Sequence, residues 1–204
     1  MTTANKFTIL RLILVIPFIS LLSYVCITID SSLNLFNYQN LKNSKQLQIF
    51  IAAGIIFIFA MITDYIDGYI ARKTNTVTSF GKLFDPLADK FMISSSLIAL
   101  SFLRIIPIYL VILMILRDIL VDATRTISAA NNKVIAANIW GKLKTVAQSI
   151  SVILAFFLTP IWFKKNPEQL TFFIYNIPMY ISTIFSLFSG AKYFYNIKKL
   201  IKLK

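Results

Sequence analysis

"DYIDGYIAR", residues 64 to 72, and "GKLFDPLADK", residues 81 to 90, place acidic side chains between long apolar stretches. The chain has 204 residues, of which 57% are hydrophobic and only 8 are Asp or Glu. Four of these acids, Asp64, Asp67, Asp85 and Asp89, belong to the two quoted segments. The purpose of such a cluster depends on the kind of protein that surrounds it.

Composition indicates a membrane protein. Only 14% of the residues are charged and the mean hydropathy is +0.74, whereas a soluble domain has about 25% charged residues. A membrane-spanning helix needs about 20 mostly apolar residues. The sequence therefore predicts an all-α integral membrane protein, with a single membrane domain over residues 1–204 and six transmembrane helices. The predicted spans are 7–29, 47–71, 84–103, 106–130, 143–163 and 170–195.

The net charge of +13 is distributed unevenly along the chain. With a cytoplasmic N-terminus, all but five of the 21 Lys and Arg residues fall in segments on the cytoplasmic side, a bias typical of membrane proteins. The exceptions are Lys42, Lys45, Arg104, Lys164 and Lys165. The sequence thus predicts a multi-pass protein with both termini cytoplasmic. Its positive charge suits anionic membrane lipid or an anionic substrate rather than nucleic acid.

The spacing of the four aspartates puts them on helix faces. Because a helix turns about 100° per residue, Asp64 and Asp67 share one face of a helix, and Asp85 and Asp89 share one face of the next. Two antiparallel helix ends then direct four carboxylates toward one point. Residues with little or no side chain lie on or one turn before the same faces: Gly68, Ala71 and Gly81.

Pro86 bears on where the third helix begins. Proline is tolerated in the first turn of a helix but disrupts its interior. We therefore expect this helix to begin near Lys82 to Asp85, or to be kinked if it begins earlier.

The energetic cost of the cluster points to bound cations. A carboxylate at the centre of a bilayer costs about 2.5–3.5 kcal/mol on insertion scales, so the cluster persists only if cations neutralise it or some members are protonated. The chain has no histidine and a single cysteine, Cys26, and carboxylate ligands suit hard ions such as Mg²⁺, Mn²⁺ or Ca²⁺. Two alternatives stay open, namely a cation or proton pathway and ion pairs at a wet helix end with Arg72, Lys73, Lys82 and Lys90.

Read together, the two segments form the pattern Asp64-x2-Asp67-Gly68-x2-Ala71-Arg72-x8-Gly81-x3-Asp85-x3-Asp89. This pattern resembles the signature of the CDP-alcohol phosphotransferase family. "NKFTILRLILVIPF" (5–18) resembles the family's N-terminal Asn-x2-Thr-x2-Arg segment. "LRDILVDATR" (116–125) and "WGKLKTVAQ" (140–148) resemble segments of the bacterial phosphatidylglycerophosphate synthases.

The resemblance implies a six-helix enzyme of the bacterial inner membrane, usually a homodimer, with a polar cavity that faces the cytoplasm. Such enzymes transfer a phosphatidyl or similar group from a CDP-linked donor to an alcohol and release CMP. The matching positions imply that two divalent ions, Mg²⁺ or Mn²⁺, are held by the four aspartates, and that Asp89 is also the general base. They imply a donor-binding set of Asn5, Thr8, Gly68, Ala71, Arg72 and Gly81.

The predicted substrates are CDP-diacylglycerol and glycerol 3-phosphate. The acceptor is a dianion and needs cations, which the predicted fourth and fifth helices supply near their cytoplasmic ends: Arg117, Arg125, Lys142 and Lys144. These cations have a second interpretation as simple membrane anchors. Other acceptors stay open, namely phosphatidylglycerol in cardiolipin synthesis, inositol phosphate or serine. The alternative outside enzymes is a cation-binding membrane transporter.

Overall fold

Helices account for the regular structure of the computed structural model, which describes residues 3–28, 44–73, 79–130, 139–162 and 169–202. No strand occurs within these ranges, and the all-α prediction is confirmed. The helices are α1 (Thr3–Thr28), α2 (Ser44–Lys73), α3 (Ser79–Phe102), α4 (Ile108–Ala130), α5 (Ile139–Phe157), α6 (Thr159–Trp162), α7 (Gln169–Tyr175) and α8 (Ile177–Lys202).

Helical structure lies at each of the six predicted spans, but the helices differ in how apolar they are. Among the described residues, two stretches are long and apolar enough to cross a membrane, Thr8–Thr28 in α1 and Lys45–Tyr69 in α2. Charged residues interrupt the apolar sequence of the next two helices. In α3 they are Lys82, Asp85, Asp89 and Lys90, and in α4 they are Arg117, Asp118, Asp122 and Arg125. The six-span topology therefore stays a prediction.

Large apolar side chains are exposed on the long helices. Ile16 and Ile27 of α1 are 69% and 82% exposed, and Phe59 of α2 is 50% exposed. Soluble proteins seldom leave contiguous apolar surface of this kind in water. The exposed faces of these helices suit contact with lipid.

The fifth and sixth predicted spans are interrupted, each close to a proline. Leu158 separates α5 from α6 two residues before Pro160, and Asn176 separates α7 from α8 two residues before Pro178. Proline has no N–H to donate to the preceding turn. Asn176 connects the two helices by hydrogen bonds on both sides of the break. Its side-chain amide donates to the carbonyl of Phe172 at 3.0 Å, and its backbone carbonyl accepts from Met179 N at 2.9 Å.

Of the two alternatives that the sequence allows for the start of α3, the structure has the earlier one. The helix begins at Ser79, so Pro86 lies inside it rather than in its first turn. Lys82, four residues earlier, therefore receives no backbone hydrogen bond from residue 86. Asp85 and Asp89 nevertheless stay on one helix, one turn apart.

The chain divides into two compact units. Unit 1 comprises Met1–Ile105 with Val152–Pro167, and unit 2 comprises Ile106–Ser151 with Glu168–Lys204. In unit 1, α1 packs on α2 and α3, and four fully buried rings fill its core: Phe18, Phe50, Phe57 and Phe156. A Cβ on Gly54 would lie 2.7 Å from the Cβ of Phe156. This aromatic core therefore requires glycine at position 54.

Unit 2 is built on contact between α4 and α8. Small residues of α8, Ser182, Ser186 and Ser189, are fully or almost fully buried there. A Cβ on Gly190 would lie 3.2 Å from the Cγ of Arg117. Small residues let helices approach closely, as is common in membrane proteins. Here they bring the backbone of α8 close to the side chain of Arg117 on α4.

Candidate active site

The two acidic segments meet around Arg11 in unit 1. Arg11 Nη1 lies 2.5 Å from Asp64 Oδ1 and 3.1 Å from Asp89 Oδ1. Arg11 Nη2 lies 2.9 Å from Asp67 Oδ2. One guanidinium on α1 thus contacts carboxylates at the end of α2 and near the start of α3.

The fourth carboxylate is held by the same face of α1. Thr8 Oγ1 donates to Asp85 Oδ1 at 2.6 Å, and Thr8 lies three residues before Arg11. Side chains three residues apart are neighbours on a helix surface. α1 therefore provides one donor for each of the two aspartates of α3, Thr8 for Asp85 and Arg11 for Asp89.

Burial strengthens the electrostatic interactions at this site. The side chain of Arg11 is 0% exposed and that of Asp67 is 4% exposed, whereas those of Asp64 and Asp89 are 36% and 32% exposed. Charges interact more strongly away from bulk water. The contacts of Arg11 with three of the four carboxylates are therefore strong.

The donor set fits a hard divalent ion, although the ligands are not yet arranged for one. Within the described ranges, no three acidic side chains are positioned to hold a metal ion. The Arg11 guanidinium stands between the carboxylates, so they already surround a cation. Carboxylate oxygens are the ligands that Mg²⁺ and Mn²⁺ prefer.

The residues predicted to bind the donor lie around this cluster, as far as they are described. Gly68 follows Asp67 in α2 and is partly exposed, and Gly81 lies one turn before Asp85 in α3 and is buried. Thr8 contacts Asp85. The side chains of the other three predicted residues lie outside the described part of the chain: Asn5, Ala71 and Arg72.

Two of the four predicted acceptor-binding cations share one carboxylate in unit 2. Lys144 Nζ lies 2.5 and 2.6 Å from the two oxygens of Asp118. Arg117 Nη1 donates to Asp118 Oδ1 at 2.9 Å, and its Nε donates to the carbonyl of Ser186 at 3.0 Å. Lys144 and Arg117 are 4% and 12% exposed, whereas Asp118 is 28% exposed.

The other two predicted cations have different surroundings. Arg125 Nη2 donates to the Tyr193 hydroxyl at 2.8 Å, and its guanidinium lies 5.1 Å from the centre of the Tyr193 ring. Lys142 is exposed on α5. The structure thus brings Arg117 and Lys144 together at Asp118, places Arg125 against an aromatic ring and leaves Lys142 at the surface.

Three residues that organise these clusters received no site role from the sequence: Arg11, Asp118 and Tyr193. A signal was available for the first two, since each is a charged residue within an apolar helix. A buried charge is costly unless it is paired, so each requires an opposite charge on a neighbouring helix. The spacing of Thr8 and Arg11 also predicts that their side chains act on one face. Nothing in the sequence distinguishes Tyr193 from the other tyrosines.

Comparison with known proteins identifies a matching family and several relatives of this chain. The sequence model of the CDP-alcohol phosphatidyltransferase family matches residues 1–188. A relative from Mycoplasma pneumoniae is 39% identical over 169 residues, which cover 81% of this chain and 74% of the relative. A relative from Bacillus subtilis is 39% identical over 145 residues, covering 71% of this chain and 72% of the relative. A relative from Mycoplasma genitalium is 34% identical over 209 residues, covering 98% of this chain and 85% of the relative. All three are named CDP-diacylglycerol–glycerol-3-phosphate 3-phosphatidyltransferase.

Proposed function

This chain belongs to the CDP-alcohol phosphatidyltransferase family and is therefore an enzyme, and we propose that it transfers the phosphatidyl group of CDP-diacylglycerol to glycerol 3-phosphate. The products are phosphatidylglycerophosphate and CMP. The observation that carries this proposal is the meeting of both acidic segments around one cation in unit 1. The substrates are those in the names of the three relatives.

The reaction needs a base for a weak nucleophile. The primary hydroxyl oxygen of glycerol 3-phosphate forms a bond to the phosphorus that carries diacylglycerol. The bond from that phosphorus to the CMP oxygen breaks, and CMP leaves with the electron pair. We assign Asp89 as the acceptor of the hydroxyl proton, a role that contributes about 10²–10⁴-fold to the rate. Its 32% exposure makes it more accessible to an alcohol than Asp67, which is 4% exposed.

Enzymes of this family use divalent metal ions. We propose that Asp64, Asp67, Asp85 and Asp89 hold two such ions, Mg²⁺ or Mn²⁺. When bound, ions of this kind stabilise negative charge on the phosphate oxygens and on the departing CMP. Because Asp89 cannot be both a tight ligand of two ions and a free base, we expect it to be the weakest ligand.

The donor site is proposed to surround the aspartates. Glycine costs about 1 kcal/mol relative to alanine in a helix interior, so Gly68, which lies inside α2, needs a reason to be there. Close approach of the cytidine group to the backbone provides one. The proposed donor-binding residues are Asn5, Thr8, Gly68, Ala71, Arg72 and Gly81.

The acceptor phosphate is proposed to bind the basic residues of unit 2. Arg117 and Lys144 already hold an oxygen anion, the carboxylate of Asp118. Arginine and lysine bind phosphate through the same charge-assisted hydrogen bonds. Arg125 and Lys142 complete the proposed set. Asp118 is a positioning residue in this scheme, because it orients two of the cations that bind the acceptor.

The proposed setting is a single catalytic domain with six membrane spans in the bacterial inner membrane. Both termini and the polar cavity face the cytoplasm, and the protein is a homodimer in contact with membrane lipid. The bias of Lys and Arg toward one side and the exposed apolar faces of α1 and α2 support this setting.

A panel of acceptors tests the proposed function. Purified protein is incubated with CDP-diacylglycerol and Mg²⁺, and CMP release is followed with each acceptor in turn. We expect release with glycerol 3-phosphate and not with phosphatidylglycerol, serine or inositol phosphate. Release with phosphatidylglycerol alone would reassign the enzyme to cardiolipin synthesis. Absence of release with every alcohol would contradict the proposed donor, CDP-diacylglycerol.

A further inference from the structure

Arg11 is a fully buried charged residue of unit 1 to which the proposed reaction gives no role. Its side chain is 0% exposed, and it contacts three of the four aspartates at 2.5–3.1 Å. A buried guanidinium is stable only next to anions. The burial of Arg11 therefore depends on its contacts with the acidic cluster.

The contacts of Arg11 use one oxygen of each of three carboxylates that are proposed above as metal ligands. Asp64 Oδ1 and Asp89 Oδ1 both face Arg11 Nη1. A divalent ion on these carboxylates would lie within a few ångströms of the guanidinium, where like charges repel strongly in a buried site. An ion on these oxygens and the guanidinium in its present position would therefore repel each other.

The fit of Arg11 to the cluster is also incomplete. Its Nε atom is buried and has no hydrogen-bond acceptor among the described residues. A buried donor without a partner carries a desolvation penalty. Arg11 thus contacts the cluster through Nη1 and Nη2, and its Nε adds a desolvation cost that weakens its hold there.

On the basis of the metal site proposed above, we propose that Arg11 is the internal counter-ion of the metal-free cluster and competes with divalent ions for the aspartate oxygens. Before ions bind, Arg11 holds together carboxylates that would otherwise repel one another. When ions bind, its guanidinium leaves the carboxylates. The competition lowers the affinity of the aspartates for the ions. It also couples ion binding to movement of the Arg11 side chain.

A second contact keeps the helices together during this exchange. Thr8 Oγ1 donates to Asp85 Oδ1 at 2.6 Å, one turn before Arg11 on the same helix. This hydrogen bond does not involve the guanidinium. It can therefore hold α1 against α3 while Arg11 moves.

The test measures Mn²⁺ binding to the full-length protein in detergent, without substrates. The variants are Arg11→Gln, which removes the charge, and Arg11→Lys, which keeps it. Lys45→Gln is the matched control, because it removes one positive charge from an exposed position at the opposite end of α2. We expect Arg11→Gln to lower the Kd for Mn²⁺ by about tenfold or more, Arg11→Lys to lower it less, and Lys45→Gln to leave it unchanged.

Thermal unfolding gives a second readout. In the presence of a chelator, Arg11→Gln should melt below the wild type, because the three carboxylates that contact Arg11 then lose this counter-charge. Added Mn²⁺ should raise its melting temperature by more than that of the wild type. Purification with Mn²⁺ before chelation provides the variant in folded form.

The outcomes separate this inference from the proposed metal site. Mn²⁺ binding by the wild type with equal or weaker binding by Arg11→Gln would overturn the competition and make Arg11 a fixed support of the ligands. Weaker binding by Arg11→Lys than by the wild type would overturn it in the same way. Failure of both the wild type and Arg11→Gln to bind Mn²⁺ would overturn the metal site itself.

Discussion

The ammonium group of Lys144 lies 2.5 and 2.6 Å from the two carboxylate oxygens of Asp118. The side chain of Lys144 is 4% exposed, so this pair is largely removed from water on the lysine side. Arg117 contacts the same carboxylate at 2.9 Å. Asp118 therefore offsets buried positive charge in unit 2, and in the scheme proposed above it also orients two side chains for the acceptor phosphate.

Asp118→Asn should destabilise the protein because it leaves Lys144 buried without its counter-charge. Removal of one partner from a buried pair costs about 3–5 kcal/mol, and we expect about 3 kcal/mol because Asp118 is partly exposed. Unfolding in detergent, followed by circular dichroism against denaturant, measures this loss. Asp118→Glu keeps the charge and should recover most of the stability. Equal loss in both variants would show that the charge of residue 118 is not what stabilises unit 2.

Lys144→Met should weaken binding of the acceptor, glycerol 3-phosphate, more than binding of the donor, CDP-diacylglycerol. A hydrogen bond to a charged group contributes about 1.5–3 kcal/mol, so the KM for glycerol 3-phosphate should rise about tenfold to a hundredfold, with little change in the KM for CDP-diacylglycerol. Initial rates with each substrate varied in turn give both constants. Lys192→Met, an exposed residue of α8 in the same unit, is the charge-matched control. A parallel rise in both KM values would argue against binding of the acceptor phosphate at Lys144.

Asp89→Asn should remove turnover while preserving much of the donor binding. Asparagine is nearly the same size as aspartate but cannot accept the hydroxyl proton, and the expected fall in kcat is about 10²–10⁴-fold. Steady-state CMP release measures kcat, and equilibrium binding of CDP-diacylglycerol measures the retained affinity. Turnover near the wild-type level would exclude Asp89 as the base.

Gly54→Ala should destabilise unit 1. The added Cβ would lie 2.7 Å from the Cβ of Phe156, and forcing an extra carbon into a packed core costs about 1–3 kcal/mol. The free energy of unfolding measures the effect. Gly141→Ala is the matched control, since the nearest atom to its added Cβ is Ser189 Oγ at 3.4 Å, an ordinary contact. This control should be neutral or slightly stabilising, because alanine favours a helix more than glycine does. Equal effects of the two substitutions would rule out crowding at Phe156.

Local periodicity explains what the sequence could predict about the acidic site. Asp64 and Asp67, and Asp85 and Asp89, share helix faces because helix geometry depends only on spacing. The sequence also indicated that the two helix ends could aim at one point. It could not identify Arg11 as the group at that point, because a contact between distant segments depends on how helices pack.

The same limit applies to unit 2 and to the helix ends. The sequence singled out Arg117 and Lys144 by charge, but their shared partner Asp118 follows from the packing of α4 and α5 side chains. Pro178 signals an interruption of the last predicted span, but not that Asn176 would bridge it with hydrogen bonds on both sides. Pro86 was expected near the start of α3 because it is unfavourable in a helix interior. The helix nevertheless begins at Ser79.

The most direct test of the proposed activity is transfer of radiolabelled glycerol 3-phosphate into lipid. The purified protein is incubated with CDP-diacylglycerol, Mg²⁺ and the labelled acceptor, and both the extracted lipid and the CMP are quantified. We predict label in phosphatidylglycerophosphate, equimolar with CMP, and loss of both with Asp89→Asn. CMP release without label in lipid, or no CMP at all from folded protein, would contradict the proposed reaction.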